Sequence, residues 1–224
     1  MTRLQKAWIF FKEVNIKTIR FNFRYFPFRQ AIRLPVFVSR YMYVEEAGGK
    51  IVLAGPIRTR MIRLGYRVVG IFDHKRSRSI WQVTGTIIFE GRALIGQGSK
   101  IAARNSGTIR FGDNFVMTAE STLVADQKTI SFGRNCLVSW DTLIMDTDYH
   151  AITDDTGRQI NPPEDITIGE HVWIGCRCLV LKGAGIPSGA IVAANSLVTR
   201  KLSGENKLFG GQPAAELKSN VRWE

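Results

Sequence analysis

The chain has 224 residues, enough for one well-buried domain with an appended arm, and its 45% hydrophobic and 22% charged content is ordinary for a globular protein. No window approaches about 18 apolar residues without a charge, which argues against a membrane-spanning helix, and the N-terminus lacks the apolar core and small-residue cleavage site of a secretory signal. The net charge of +12 is lopsided: residues 1–80 hold 17 Lys/Arg against 4 Asp/Glu, and residues 81–224 hold 14 against 15. Three cysteines (Cys136, Cys176, Cys178) make no even set and read as reduced thiols in a cytoplasmic protein.

Residues 1–50 read as a basic aromatic arm. Within 1–44 there are nine Lys/Arg and only Glu13 as an acid, interleaved with Trp8, Phe10, Phe11, Phe21, Phe23, Tyr25, Phe26 and Phe28. Basic plus aromatic composition is read as a membrane-surface segment or a nucleic-acid surface, or as a cap whose aromatics close the first repeat.

Residues 51–202 carry a repeat. Ile168, Ile174, Val180, Ile186, Val192 and Val198 are spaced six apart without a slip. Four positions after each of the first five come Val172, Cys178, Ala184, Ala190 and Ser196, mostly small. Upstream the same spacing returns in blocks: Val83, Phe89, Ile95 and Ile101; Phe111, Met117 and Leu123; Phe132, Val138 and Ile144. Phase shifts between blocks read as short corner loops. Six matches neither the helical period nor simple strand alternation. It suits a coil of three short flat faces, each with one inward aliphatic and a small residue where the backbone bends near its neighbour. Such coils bury their edges by stacking. Residues 203–224 read as a cap on the last coil.

The repeat breaks once, over residues 145–167, in a segment whose Asp, Gly, Asn and Pro162-Pro163 mark a loop. Loops thrown from a rigid solenoid are where function is commonly placed. His150 lies near its start. If the chain there is still extended, Asp146, Asp148 and His150 share one side. A neutral imidazole is suited to take a proton from a sugar hydroxyl, and a carboxylate such as Asp148 could orient it.

The aliphatic-Gly-x-x-small-x pattern resembles the hexapeptide-repeat acyltransferases, and Ile168-Gly169-Glu170-His171-Val172-Trp173-Ile174-Gly175 resembles the galactoside, maltose and xenobiotic acetyltransferase branch over roughly residues 105–215. The resemblance implies an all-β, left-handed parallel β-helix that works as a homotrimer and takes acetyl from acetyl-CoA. It implies His150 as general base, Trp173 along the thioester channel, and the Cys176 backbone N–H as the oxyanion donor. It places the cofactor by Gly175, Ala193 and Ala194, with Thr199, Arg200 and Lys201 near its phosphates, and Gly211 and Pro213 in the closing turn of Gly210–Ala215. The branch has an Asn in the coil that here reads 115–120; Thr118 takes that place, so Thr118 and Asp146 are the expected acceptor contacts.

RFNFRYFPFRQAIRLP, MDTDYH and VRWE resemble acetyltransferases of bacterial surface-polysaccharide synthesis. That likeness implies a glycan hydroxyl as acceptor, in capsule or O-antigen. It favours peripheral association of residues 1–44 with the inner membrane face, and no nucleic acid. A small acceptor such as an antibiotic or nucleotide-sugar amine, and a non-catalytic scaffold, are the alternatives. No metal is expected: a three-histidine site needs ligands that converge, and the chain has only His74, His150 and His171.

Overall fold

The structure, a computed structural model, describes residues 13–73 and 75–224. Trp8, Phe10, Phe11 and His74, named above, lie outside the described residues. Among the described residues two short helices precede the strands, α1 (Ile16–Tyr25) and α2 (Phe28–Ala31). Asn15 caps α1 by accepting from the N–H groups of Lys17 and Thr18, and the helix stops before Pro27.

Everything that follows is strand and corner. Among the described residues the strands form three sheets, which are the three faces of one solenoid. Face one holds β1 (Val36–Val38), β4 (Ile62–Tyr66), β7 (Ala93–Gly96), β10 (Phe115–Met117), β13 (Leu137–Val138), β16 (Trp173–Ile174), β19 (Ile191–Val192), β21 (Leu208–Gly211) and β22 (Ala214–Lys218). Face two holds β2 (Tyr43–Glu46), β5 (Ile80–Val83), β8 (Lys100–Ala103), β11 (Thr122–Ala125), β14 (Leu143–Met145), β17 (Leu179–Leu181) and β20 (Leu197–Val198). Face three holds β3 (Lys50–Leu53), β6 (Thr86–Phe89), β9 (Thr108–Phe111), β12 (Thr129–Phe132), β15 (Ile166–Ile168) and β18 (Gly185–Ile186). From β1 to β20 neighbouring strands are parallel, each laddered to the strand three further on, while β22 folds back antiparallel on β21. The fold is a left-handed parallel β-helix.

The six-residue spacing maps directly onto this geometry. Ile174 pairs with Val192, Ile168 with Ile186 and Val180 with Val198, so three hexads make one coil. Each of those six aliphatics is at most 2% exposed, and so are Cys178, Ala184, Ala190 and Ser196. Earlier coils are longer: Ile95 pairs with Met117, and Met117 with Val138, 22 and 21 residues apart. The extra residues sit in the corners and cause the phase shifts. Inside, Phe89, Phe111 and Phe132 stack with centroids 5.0 and 5.8 Å apart, a continuous apolar column whose burial drives coil stacking.

Two boundaries differ from the sequence reading. The first coil begins at Val36 rather than residue 51, because Val36, Phe37 and Val38 are fully buried and β1 pairs with β4. This strand belongs to no six-residue run. At the other end β21 continues face one inside the segment assigned to the cap. The open edge of β1 is closed by α1: the Asn22 side chain donates to the Val36 carbonyl at 2.6 Å and accepts from the Val36 N–H at 3.1 Å, and the Thr18 hydroxyl accepts from the Val38 N–H at 3.0 Å. An otherwise unpaired strand edge is thus satisfied by side chains.

Candidate active site

The loop of residues 146–165 leaves the second corner, between faces two and three. β14 stops at Met145, and Asp146 turns inward to full burial. Its carboxylate accepts from the N–H groups of Asp126 (2.9 and 3.1 Å), Gln127 (3.0 Å) and Lys128 (2.6 Å), so it pins the turn between β11 and β12. The expectation that Asp146, Asp148 and His150 share one side is therefore corrected. Strand alternation ends at Met145, and Tyr149 takes a left-handed conformation with φ 61°. Asp146 is an internal anchor, without the exposure a substrate contact needs.

Asp148 is held by two partners. Lys182 Nζ, from the corner one coil later, donates to its Oδ2 at 2.5 Å, and Asn161 Nδ2 donates to the same oxygen at 2.8 Å. Those hydrogen bonds, Lys182's first, keep the carboxyl below its ordinary range. Asn161 also donates to the His150 carbonyl at 2.9 Å, and Lys182 donates to the Asn161 carbonyl at 2.8 Å. The His150 N–H donates to the Asp148 carbonyl at 2.7 Å. The backbone of His150 is thus fixed on both sides while the residue stays exposed. Asp148 acts on His150 through this brace, with its carboxylate engaged by Lys182 and Asn161.

Asn161 and Lys182 were not singled out in the sequence. The signal was there for Lys182: Met145 pairs with Leu181, so the residue after each strand stacks, and Lys182 falls below Asp146.

The other expected groups gather at the first corner, between faces one and two. Successive coils place Thr118, Ser139, Gly175, Ala193 and Gly210 in one column, each following a paired face-one strand residue. The Cys176 position follows Gly175. Asn195 N–H donates to the Cys176 carbonyl at 2.9 Å, and the Cys176 N–H has no acceptor among the described residues. A Cβ on Gly175 would lie 2.7 Å from the Ala194 nitrogen, so the corner needs glycine there. Trp173 lies on the outer surface of face one and donates from Nε1 to the Ser139 hydroxyl at 3.0 Å. Thr118 Oγ1 is buried and has no partner among the described residues. The turn carrying Gly211 and Pro213 reaches the same corner, where Gln212 Nε2 donates to the Asn195 carbonyl at 2.9 Å.

Thr199, Arg200 and Lys201 lie elsewhere, at the second corner after β20; Arg200 and Lys201 line a groove of about 330 Å³ with Leu202, Phe209 and Ala215. Asp148 and His150 also follow a face-two strand, β14, and so lie at the second corner, outside that groove. Face two separates them from Cys176, a strand of three residues or ~10 Å wide. The histidine loop and the Cys176 amide thus belong to different corners of one chain.

A second loop, described over residues 67–73 and 75–79 between β4 and β5, runs along the first corner. Val68 N–H donates to Gln97 Oε1 and Gln97 Nε2 to the Val69 carbonyl, both at 2.7 Å, and the Phe72 ring lies 6.3 Å from that of Trp140. At the third corner His171 adopts the left-handed conformation that Asn114 and Asn135 adopt in the coils before it. It stacks on Trp223 at 4.4 Å and exchanges two hydrogen bonds with it (3.1 and 2.9 Å), a tail contact.

A three-faced β-helix with a braced, exposed histidine and a glycine-lined corner presenting an open amide has the layout of a hexapeptide-repeat acyltransferase. No family model matches the chain. WbbJ of Escherichia coli (strain K12), named for O-acetyl transfer in lipopolysaccharide biosynthesis, is 30% identical over 143 residues, 60% of this chain and 72% of its own length. The polysialic acid O-acetyltransferase of Neisseria meningitidis is 33% identical over 101 residues; the match covers 45% of this chain and 47% of that protein, less than half its length. The solved structure of the polySia specific acetyltransferase NeuO has the same fold, with a TM-score of 0.55 at 21% identity over 85% of this chain and 89% of that one. The chain belongs to the hexapeptide-repeat O-acetyltransferases, enzymes that take their acetyl group from acetyl-CoA.

Proposed function

We propose that the protein acetylates a sugar hydroxyl of a surface polysaccharide, capsule or O-antigen, and does so as a homotrimer. The observation that carries this reading is the split site: a braced His150 at one corner and an open Cys176 amide at another. A closed ring of copies can set the second corner of one subunit against the first corner of the next. The lipopolysaccharide and polysialic acid chemistry for which these two relatives are named supports the acceptor class.

In this mechanism His150 takes the proton of the acceptor hydroxyl, and the oxygen attacks the thioester carbonyl. The new C–O bond forms as the carbonyl oxygen becomes an oxyanion, which the neighbouring subunit's Cys176 amide stabilises. The C–S bond then breaks and protonated His150 returns the proton to the departing thiolate. No acyl-enzyme is formed. Trp173, Gly175, Ala193 and Ala194 flank the pantetheine arm, Thr199, Arg200 and Lys201 of the adjoining subunit meet the nucleotide phosphates, and Gly211 and Pro213 close over it. Thr118, half-buried in the same column as Gly175, borders the acceptor position.

We also place the protein at the inner face of the membrane. Among the described residues no helix is long and apolar enough to cross a membrane. Ile16 (60% exposed) and Phe28 (68%) accompany the exposed Arg20, Arg24, Arg29 and Arg33 on α1 and its continuation, a composition suited to an anionic surface. Flotation with phosphatidylglycerol vesicles tests this part.

The test of the enzyme reading is free-thiol release from acetyl-CoA with wild type and His150→Ala across a panel of sugars and oligosaccharides. Transfer to a sugar that drops about 10²–10⁴-fold in the variant, with acetyl-CoA binding unchanged, supports it. Wild-type transfer that survives in the variant removes His150 as the base.

A further inference from the structure

Between α1 and β2 the protein holds a preformed apolar cavity of about 330 Å³, lined by Phe21, Tyr25, Tyr43, Val44 and Ala47. Its floor is rigid. Phe21 is 5% exposed and packs edge-on against the fully buried Trp81 at 5.4 Å, and Trp81 Nε1 donates to the Tyr25 hydroxyl at 2.9 Å. The volume lies at the lower end of small-molecule sites.

The rim is cationic. Lys17, Arg20 and Arg24 edge the cavity. A second, more polar basin adjoins it, sharing Lys17 and Tyr43 and adding Arg40, Lys75 and Arg78. Among the described residues neither hollow has a carboxylate in its lining, although Glu45 hydrogen-bonds Tyr43 from the same strand. Two of these cations are already oriented. Lys17 Nζ donates to the carbonyls of Arg40 (2.8 Å) and Met42 (2.6 Å), and Arg24 Nε donates to the Ala47 carbonyl (3.2 Å). An apolar hollow opening beside a cluster of six cations suits an anionic amphiphile, and a single hydrocarbon chain ending in phosphate or diphosphate gives the guanidinium groups their bidentate partner.

We infer that this cavity binds the chain of a lipid phosphate, with the phosphate on Arg20, Arg24 and their neighbours. The inference deepens the proposed function and rests on it for one step, that the lipid carries the glycan to be acetylated. A lipid-linked acceptor held at the N-terminal end of the solenoid leaves its sugar portion free to reach along the corners.

Calorimetry on the full chain with farnesyl phosphate, farnesol and inorganic phosphate as probes tests it. Farnesyl phosphate binds one per chain and at least about tenfold more tightly than farnesol, and inorganic phosphate gives no measurable heat. Ala47→Phe, which fills the hollow, weakens farnesyl phosphate at least about tenfold. Arg20→Gln with Arg24→Gln brings it down to the affinity of farnesol. Unchanged flotation on anionic vesicles and unchanged melting confirm that Ala47→Phe folds and keeps its surface.

Equal binding of farnesol and its phosphate in wild type, wild-type affinity in Ala47→Phe, or no binding to the full chain each overturns the inference. Acetylation of a soluble sugar by the same preparation is read separately. Transfer without lipid binding leaves the enzyme standing and ends the pocket. Lipid binding without any transfer keeps the pocket and ends the acceptor reading.

Discussion

Lys182 and Asp148 lie 34 residues apart in sequence and 2.5 Å apart in space, and their ion pair fastens the histidine loop to the coil below it. The lysine is mostly covered and the carboxylate 41% exposed, so the pair is worth little to global stability once solvent screening is counted. Its effect is on where His150 points.

Lys182→Met therefore lowers kcat/KM about 10- to 100-fold through misplacement of His150, the proposed base, while shifting stability by less than about 1 kcal/mol. Melting curves beside transfer kinetics check it. Equal losses in both would make Lys182 a stability residue alone. The pH dependence follows from the direction of the shift. Asp148's folded-state carboxyl lies below its ordinary range, so the brace is fully present above the unfolded value and is lost as pH falls through the folded one. Any change in transfer between about pH 6 and 8 then arises elsewhere than Asp148, and Asp148→Asn keeps the wild-type pH profile there.

Asp146→Ala leaves three backbone N–H groups of the turn between β11 and β12 without their acceptor. Buried hydrogen bonds to a charged group are the costly kind to lose, and the expected destabilisation is about 2–4 kcal/mol. Chemical denaturation measures it. KM for the acceptor, taken well below the melting temperature, stays at the wild-type value. A raised KM with unchanged stability would return Asp146 to the substrate site.

The three thiols separate by burial. Burial pushes Cys136 up to about 11 and raises Cys178 as well, while Cys176 is only half-buried at the first corner. At pH 8 a thiol reagent modifies Cys176 alone in the native protein, and all three after denaturation. Saturating acetyl-CoA slows the Cys176 reaction at least about fivefold if the donor lies along that corner. Unaltered labelling would move the donor away from it.

The solenoid was legible because burial alone sets its spacing: Ile174, Val180 and Ile186 must each point inward, one per face, whatever surrounds them. His150 was legible for a related reason, since it stands in the one long gap in that spacing. The direction of Asp146 was not, because it depends on where β14 stops, and the loop's composition does not say at which residue the strand ends. Loop 67–79 escaped notice because what fixes it is distant: Gln97 and Trp140 hold it from coils that follow. The same is true of Asn161, whose role appears only once Asp148 and Lys182 are folded against it. Periodicity reveals what faces the axis, and the site is built from residues at the corners.

The separation of His150 from Cys176 across face two makes a prediction that a single-chain site does not. Ala194→Trp fills the exposed first-corner position beside Gly175, where the donor groove is proposed to run, while His150→Ala removes the proposed base. Each variant alone loses transfer by at least about 10²-fold. If each site takes its histidine from one subunit and its donor corner from the next, a mixed trimer joins an intact histidine of one variant to the intact corner of the other. Co-expression, or unfolding and refolding of the two together, then restores a substantial fraction of wild-type activity per intact site. Subunit exchange is verified independently with differently tagged chains. Mixed trimers that form but stay inactive would mean that each chain completes its own site, which the ~10 Å breadth of the intervening face argues against.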